Sequence, residues 1–283
     1  MHFSLVKLFP EGVDSTNGFD DVMLPMRYAL ARLGYDVEMA VNHINPTSVN
    51  ILFGSCRTGR FDDRGLPANS IIFNLEQLAT SPWNTPRYLA QLKRFTVWDY
   101  SHRNVRYFRK SLGMTDVFEV RLGYVPEMTR LARDFPRDID VLFYGTMNER
   151  RQQILDQLHK AKLRVCLLAG EYGLRRDLAI ARSKLVVNIH YYTPATLEVP
   201  RLGYLWANHR PVVSERQRET EVNKGLEETC CFRPYDELVS AVHELVASKT
   251  AREEQAAKAF AAFSSLRQED FLESVVGRRI HGS

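Results

Sequence analysis

Short apolar runs alternate with amphipathic segments along most of this chain, and the alternation predicts its secondary structure. The run Ile139–Tyr144 is unbroken, which is typical of a strand covered on both faces. Apolar residues then recur at helical spacing between Met147 and Ala161, and Val165–Leu168 is a second apolar run. The order strand, helix, strand predicts a βαβ crossover, the unit from which parallel sheets are built.

The same alternation extends over both halves of the chain. In the first half we predict the strands Phe3–Leu8, Asp36–Val41, Val49–Phe53, Ser70–Asn74, Phe95–Trp98 and Val117–Leu122. The helices between them are Pro86–Phe95, Ser101–Leu112 and one that ends at Gly34 and either begins near Pro25 or kinks there. After the crossover we predict helices at Leu174–Ala181, Arg201–Arg210 and Asp236–Ala247, and strands at Leu185–His190, Pro211–Ser214 and Cys230–Arg233. Such alternation favours parallel sheets covered by helices.

A polar segment that ends in proline, Met128–Arg137, is the best candidate for a linker. It divides the chain into a first domain of residues 1–128 and a second domain of residues 129–283. The Ala/Glu-rich segment Ala251–Val276 has few helix breakers and predicts one long C-terminal helix. The predicted fold class is α/β, with two Rossmann-like lobes that face a central cleft.

Composition and charge exclude several other classes of protein. With 283 residues, 45% hydrophobic and 25% charged, the chain has the composition of an ordinary globular protein. Its net charge of +4 is too small to indicate nucleic-acid binding, so we consider nucleic acid an improbable partner. The N-terminus lacks a signal-peptide layout and no segment reaches the length of a membrane span. The four cysteines show no CxxC spacing, so we expect reduced thiols and a cytoplasmic location.

Arginines stand at two predicted helix starts, where the helix macrodipole disfavours cations. Arg150 and Arg151 follow Thr146 and Glu149, whose spacing is that of a capping box. These arginines are either solvated partners of Glu149 or Asp140, or ligands of an anion such as a phosphate. Arg201 repeats this pattern near Pro200. A bound anion at each helix start explains the arginines at both places.

Three segments of the second half resemble, in order, the donor-binding lobe of GT-B glycosyltransferases. They are IDVLFYGTMNERRQQIL, ARSKLVVNIHYY and LEVPRLGYLWANHRPVVSE. In the first half, IIFNLEQL, VWDYSHRN and VRLGYVPEM resemble members of that family from bacterial surface-polysaccharide clusters. The resemblance implies a glycosyltransferase that moves a sugar from a nucleotide-sugar donor to a hydroxyl acceptor, in bacterial glycan or polysaccharide biosynthesis.

The resemblance also implies where the donor binds. Helix starts and arginines suit phosphates, a carboxylate suits ribose hydroxyls, and glycine allows close approach of a ligand. The predicted donor-binding residues are Gly145, Thr146, Arg150, Arg151, His190, Glu198 and Arg201. For His190 a buried structural histidine is the alternative, and for Glu198 simple compensation of the helix dipole. Many retaining members carry two glutamates seven residues apart, but Tyr204 stands near the second position here, so retention or inversion stays open.

Acid–base chemistry on an acceptor hydroxyl needs a carboxylate or a histidine beside it. The catalytic candidates are Glu76, Asp99 and Asp14, and the acceptor-side candidates are Asn17, Gly18 and His102. For Glu76, Asp99, Asp14 and His102 the alternative is a role as a helix cap or a structural partner.

Cofactors and partners follow from the same resemblance. No DxD metal motif stands out, and GT-B enzymes generally work without a bound metal, so we expect neither a metal nor another cofactor. The acceptor is expected to be a glycan, a lipid-linked sugar or another hydroxyl compound. The basic helix Ser101–Leu112 could contact the inner face of a membrane. Two alternatives remain, an epimerase-like sugar-nucleotide enzyme and a non-catalytic Rossmann-like binding protein.

Overall fold

The computed structural model describes residues 1–10, 18–57, 63–78, 81–192, 197–216, 226 and 229–281. The chain divides into two compact units, of which the first comprises Met1–Val125 with Arg267–Ser283 and the second Pro126–Leu266. The predicted domains met at residue 128 and placed the whole tail in the second. The structure instead groups the last segment of the tail with the first unit.

The first unit is built on a six-stranded sheet in which every described pairing is parallel. In chain order its elements are β1 (His2–Lys7), α1 (Asp20–Arg32), β2 (Asp36–Val41), β3 (Val49–Phe53), β4 (Ile71–Asn74), α2 (Pro86–Arg94), β5 (Thr96–Asp99), α3 (His102–Leu112) and β6 (Val117–Glu119). The strand order is β2-β1-β3-β4-β5-β6. Helix α1 begins at Asp20 and carries Pro25 in its interior, so of the two predicted alternatives the start near Pro25 is wrong.

The second unit is built on a five-stranded parallel sheet. Its elements are β7 (Ile139–Tyr144), α4 (Glu149–Lys160), β8 (Val165–Leu168), α5 (Gly173–Arg182), β9 (Ser183–Asn188), α6 (Val199–Ala207), β10 (Val212–Glu215), β11 (Cys231–Arg233), α7 (Leu238–Ala247) and α8 (Lys249–Ser264). The strand order is β11-β10-β9-β7-β8. The βαβ crossover predicted around α4 and the edge position of β11 are both present.

Each unit has its own apolar core, as the alternation of buried strands and amphipathic helices requires. In the first unit the core lies between the sheet and α2 and α3, and it includes Leu52, Ile72, Leu92, Val97 and Phe108. In the second unit the core lies between the sheet and α4 and α7, and it includes Val141, Phe143, Ile154, Leu185 and Val242. These side chains are the residues that the hydrophobic pattern marks as buried.

The predicted long C-terminal helix is two helices, because the chain turns between α8 and α9 (Gln268–His281). The turn is fixed by Gln268, whose side chain accepts a bond from the Gly123 amide (2.7 Å) and donates to the Arg121 carbonyl (3.2 Å). Its own amide donates to the Tyr124 carbonyl at 3.1 Å. Helix α9 therefore joins the first unit, next to α1, where Glu269 pairs with Arg32 at 3.1 Å.

Candidate functional site

The candidate site of the second unit lies at the carboxyl edge of its sheet. Since the strands are parallel, the residues that follow β7, β9 and β10 meet at one edge, which is where ligands bind in open α/β sheets. Gly145 follows β7, His190 follows β9 and Glu215 ends β10. Helix α6 contributes Glu198 and Arg201 to the same place.

Gly145 makes room for the side chain of Arg201. Its φ angle is +137°, a conformation that favours glycine. A Cβ at this position would lie 2.8 Å from Nη2 of Arg201. The guanidinium also stacks over the Tyr144 ring, 5.1 Å from its centroid. Glycine is therefore needed here so that the Arg201 guanidinium can lie against the backbone turn that follows β7.

Arg201 keeps part of its hydrogen-bonding capacity unused. Its Nη1 donates to Oδ1 of Asn188 at 2.9 Å and lies 2.7 Å from Oε2 of Glu198. Within the described part of the chain, Nε and Nη2 have no hydrogen-bond partner. The side chain is 18% exposed. Arg201 thus presents fixed, unused donors at the edge of the sheet.

Arg151 is buried and its donors are largely taken up by the main chain. Its Nε and Nη2 donate to the Ile189 carbonyl at 2.9 and 2.7 Å, and Nη1 donates to the Thr146 carbonyl at 2.6 Å. Burial lowers the pKa of Arg151 to about 10. Since its donors join the turn after β7 to the end of β9, Arg151 holds these two segments together.

Arg150 forms a two-point ion pair with Glu215. Its Nη1 donates to Oε2 of Glu215 at 2.7 Å, and Nη2 donates to Oε1. Nη1 also contacts the His190 carbonyl at 3.1 Å, and the guanidinium lies 3.9 Å from the centroid of the Tyr235 ring. From the sequence, Arg150 was expected either to pair with Glu149 or Asp140 or to bind an anion, and neither alternative includes Glu215. Asp140 pairs with Arg164 and Lys184 instead.

The capping residue of α4 is Asn148, and the predicted capping box of Thr146 and Glu149 does not form. Asn148 Oδ1 accepts a bond from the Arg151 amide at 3.0 Å, and its Nδ2 donates to the Tyr191 carbonyl at 3.0 Å. The prediction was wrong because α4 begins at Glu149, three residues beyond Thr146. Thr146 reaches the site through its carbonyl, which accepts from Arg151.

Glu198 occupies the N-cap position of α6, but its side chain makes no capping bond. Its carboxylate lies between Arg201, at 2.7 Å, and Arg151, at 3.5 Å. Glu198 therefore neutralises part of the positive charge of the site, and its side chain is 19% exposed. Its Oε2 attracts the Arg201 guanidinium by charge alone, since that oxygen has no hydrogen-bond partner among the described residues.

His190 is buried at this edge beside Glu215. Its main-chain amide donates to Oε2 of Glu215 at 3.0 Å, and its Nδ1 lies 3.8 Å from the same oxygen. Its Nε2 is buried and has no hydrogen-bond partner among the described residues. Burial lowers the pKa of His190, so the imidazole is neutral near pH 7.

Glu215, Asn188 and Asn148 were not predicted from the sequence, although they hold the arginines and the helix start in place. A signal for Glu215 was available, since it ends an apolar strand at the same sheet edge as Gly145. The strand register alone could not show which arginine Glu215 contacts.

In the first unit, Asp99 is the centre of a buried polar network. Asn74 and Asp99 end the neighbouring parallel strands β4 and β5. Asp99 Oδ2 accepts from Asn74 and Asn104 at 2.6 and 3.0 Å, and Oδ1 accepts from the Ser101 amide at 2.7 Å. Burial raises its pKa to about 7. Since Asp99 is fully buried and has three donors, it holds the network together and does not reach the surface.

Glu76 is the partly exposed member of this network. The amides of Asn74 and Asn104 both donate to its main-chain carbonyl, at 3.0 and 2.8 Å. Its carboxylate accepts from the Ser81 hydroxyl at 2.9 Å and lies 3.7 Å from the Cys56 sulfur. The structure therefore brings the two predicted carboxylates Glu76 and Asp99 together, with Glu76 nearer to solvent.

Of the remaining first-unit predictions, only His102 and Gly18 lie among the described residues. His102 begins α3 with a side chain that is 59% exposed, and its Nδ1 lies 2.8 Å from Oε2 of Glu119. Gly18 is exposed just before α1. Asp14 and Asn17 lie outside the described residues.

The described ranges contain neither a metal-ligand cluster nor a membrane-spanning helix. No group of three or more His, Cys, Asp or Glu residues within them could hold a metal ion. None of the described helices combines the length and apolar character needed to cross a bilayer.

Comparison with curated proteins finds viral relatives of unknown function. No known protein-family profile matches the chain. The chain is 27% identical over 187 residues to the uncharacterized protein L140 of Acanthamoeba polyphaga mimivirus. This match covers 64% of this chain and 60% of L140. It is 29% identical over 181 residues to protein L138 of the same virus, which covers 60% of this chain and 20% of L138. The match thus spans only part of each relative.

Comparison with solved structures finds glycosyltransferases over the full chain. Sucrose-phosphate synthase from Thermosynechococcus elongatus aligns with a TM-score of 0.61 at 12% identity, covering 100% of both chains. WaaG, a glycosyltransferase involved in lipopolysaccharide biosynthesis, aligns with a TM-score of 0.61 at 11% identity, covering 99% of this chain and 100% of WaaG. The chain has a GT-B fold. The predicted α/β class with two parallel sheets is therefore confirmed.

GT-B structures similar to this chain also come from outside bacterial polysaccharide synthesis. A DNA-modifying β-glucosyltransferase aligns with a TM-score of 0.59 at 10% identity, covering 97% of this chain and 98% of the enzyme. The fold therefore does not single out the bacterial surface-polysaccharide type that the sequence suggested.

Proposed function

We propose that this protein is a glycosyltransferase that moves a sugar from a nucleotide-sugar donor to a hydroxyl acceptor, and that the donor binds at the carboxyl edge of the second sheet. The observation that carries the proposal is the Arg201 guanidinium, held against Gly145 with unused donors at the start of α6. A guanidinium beside a helix N-terminus suits the diphosphate of such a donor.

The similar structures support this choice of ligand. A mutant of S. aureus TarM was solved in a complex that contains UDP, and T4 phage BGT was solved with UDP and Mn²⁺. In this chain we assign the phosphate contact to Arg201. Arg150 and Arg151 are assigned to holding the edge, because Glu215 and two main-chain carbonyls already take their donors.

On the acceptor side we propose Glu76 as the carboxylate that meets the acceptor hydroxyl, with Asp99 as the residue that positions it. Glu76 is the partly exposed carboxylate of its network, whereas Asp99 is fully buried. Glycan or lipid-linked acceptors of polysaccharide biosynthesis fit this chemistry, and WaaG, with its role in lipopolysaccharide, supports that setting. A cytoplasmic location, with contact at the inner face of a membrane, belongs to the same proposal.

Thermal shift with UDP, GDP, TDP and CMP tests the donor site. A ligand that binds the folded chain raises its melting temperature by mass action. We expect one nucleotide at millimolar concentration to raise the melting temperature, and we expect the rise to persist in EDTA, because Arg201 and the α6 start replace a metal. No rise with any nucleotide would refute the proposal.

Substitution of Arg201 tests the assigned contact. Arg201→Ala should weaken binding of that nucleotide at least tenfold, since a charge-assisted bond to phosphate contributes about 1.5–3 kcal/mol. The matched control is Arg175→Ala, in the same unit, whose side chain is 74% exposed and pairs with Glu171. Equal affinity in both variants would show that Arg201 does not hold the phosphate.

A sugar-transfer assay separates this proposal from its rival. Release of free sugar from the nucleotide sugar, with no transfer to any offered hydroxyl compound, would favour the epimerase-like alternative.

A further inference from the structure

His190 carries a buried nitrogen that the described structure leaves unsatisfied. The residue is 3% exposed, and its Nε2 has no hydrogen-bond partner among the described residues. Most buried polar atoms in proteins have a partner, and those without one call for an explanation. Because His190 lies at the edge that also carries Gly145 and Arg201, a ligand at this edge is the simplest partner for Nε2.

The surroundings of His190 determine which kind of bond Nε2 can make. Two acidic and two basic groups face it, namely Glu198, Glu215, Arg150 and Arg151. Burial is the largest effect on its pKa and lowers it, so the ring is neutral near pH 7. A neutral imidazole has one N–H donor and one acceptor nitrogen.

The charge of Glu215 favours one tautomer of His190, although Nδ1 and Oε2 are too far apart for a hydrogen bond. Oε2 of Glu215 accepts from Arg150 and from the His190 amide, and it lies 3.8 Å from Nδ1. A carboxylate beside Nδ1 favours the tautomer that carries its proton there. Nε2 is then the nitrogen with the free lone pair, and it can accept a hydrogen bond but cannot donate one.

A lone pair on Nε2 suits a hydroxyl group and does not suit a phosphate. An ionised phosphate offers only acceptors, whereas a hydroxyl offers a proton. We propose that His190 accepts a hydrogen bond through Nε2 from a hydroxyl group of the bound donor, while Arg201 holds the phosphates. This inference rests on the proposed donor site, and the hydroxyl belongs either to the ribose or to the transferred sugar.

Two substitutions at His190 test the role of Nε2. His190→Gln keeps an acceptor at a similar reach, whereas the shorter side chain of His190→Asn withdraws it. We expect His190→Asn to weaken binding of UDP-glucose about three- to tenfold, and His190→Gln to stay within about twofold of the wild type. If both variants unfold more easily, the difference between Gln and Asn remains the measurement.

His209 provides a matched control in the same unit. Its Nε2 is also buried without a partner among the described residues, and burial lowers its pKa too. Its ring, however, stacks on Phe260 with centroids 3.9 Å apart. Its φ angle is +53°, which asparagine tolerates. His209→Asn should leave UDP-glucose affinity unchanged.

The choice of nucleotide identifies which hydroxyl is bound. If the hydroxyl is on the sugar, His190→Asn weakens UDP-glucose but not UDP. If it is on the ribose, His190→Asn weakens UDP as well, and the loss disappears with 2′-deoxy-UDP or 3′-deoxy-UDP. If the wild type and His190→Asn both bind UDP, and with equal affinity for each of the ligands tested, this inference is wrong and the proposed function stands. Failure of UDP and of the other nucleotides to bind the wild type would instead refute the proposed function.

The pH dependence separates a hydroxyl contact from a phosphate contact. We expect the ratio of wild-type to His190→Asn affinity to stay level or fall as the pH is lowered from about 8 to about 5.5, because protonation removes the lone pair. A ratio that rises over this range would indicate an imidazolium bound to phosphate, and the inference would be wrong.

Discussion

Gly145 and Arg201 are in direct contact, although 56 residues separate them, and a methyl group on Gly145 would lie 2.8 Å from Nη2 of Arg201. The turn after β7 and the first turn of α6 are therefore shaped for each other. Gly145 thus makes room for the Arg201 side chain, and a ligand at this edge contacts Arg201 rather than Gly145.

Gly145→Ala should lower both stability and nucleotide affinity. The positive φ angle alone costs about 1 kcal/mol in unfolding free energy for alanine, and displacement of the Arg201 guanidinium adds to this. The control is Gly170→Ala, whose φ is +70° and whose Cβ would meet nothing within 4 Å. Urea unfolding and nucleotide titration measure the two effects. If both variants lose the same stability and keep the same affinity, the contact with Arg201 has no consequence.

Arg150→Ala should destabilise the protein by about 3 kcal/mol, because it leaves a carboxylate that is 8% exposed without its partner. Arg150→Lys should recover only part of the loss, since one ammonium group cannot reproduce two parallel bonds. A double-mutant cycle with Glu215→Ala, followed by urea unfolding, isolates the coupling between the pair.

The exposed pair of Arg175 and Glu171 is the reference for that cycle. Its coupling should stay below about 1 kcal/mol, as is usual at the surface. A coupling of the same size for both pairs would contradict the structural role given to Arg150.

Asp99 should make stability depend on pH. Burial raises the pKa of its carboxyl from 3.8 to about 7, so the folded chain keeps a proton that the unfolded chain releases. The unfolding free energy should therefore fall as the pH rises from about 4 to about 7, by about 4 kcal/mol from this group. Unfolding curves across this range should lose that slope in Asp99→Asn.

Thr96→Val is the control for the pH dependence. It removes a 2.6 Å bond to Asp116 at the other end of the same strand. The variant should lose stability but retain the slope, since Asp99 and its neighbours Glu76 and Glu119 are unchanged. A slope that survives in Asp99→Asn would assign the pH dependence to another group.

Gln268→Ala should destabilise the first unit by about 1–3 kcal/mol, because it leaves the buried Gly123 amide without its acceptor. Ser274→Ala, at an exposed position of α9, should have no measurable effect. Hydrogen exchange of the Gly123 amide measures the local consequence. Equal protection of that amide in both variants would show that Gln268 does not fix the turn.

The sequence by itself determined the α/β class and the crossover around α4. These features follow from local patterns, since hydrophobic spacing sets strands and helices, and parallel strands bring their carboxyl ends together. The sequence also identified both Glu76 and Asp99 as catalytic candidates. It could not show that Asp99 is buried and that Glu76 is nearer to solvent.

Only the tertiary structure decided what each arginine does. Arg150 and Arg151 are neighbours in sequence at one helix start, yet Arg150 meets Glu215 and Arg151 meets the carbonyl of Ile189. Adjacent helical residues point about 100° apart, so their partners come from different strands whose order is set by packing. Of the three arginines described at this edge, Arg201, 50 residues after Arg151, is the one with unused donors, and Gly145 gives its side chain room.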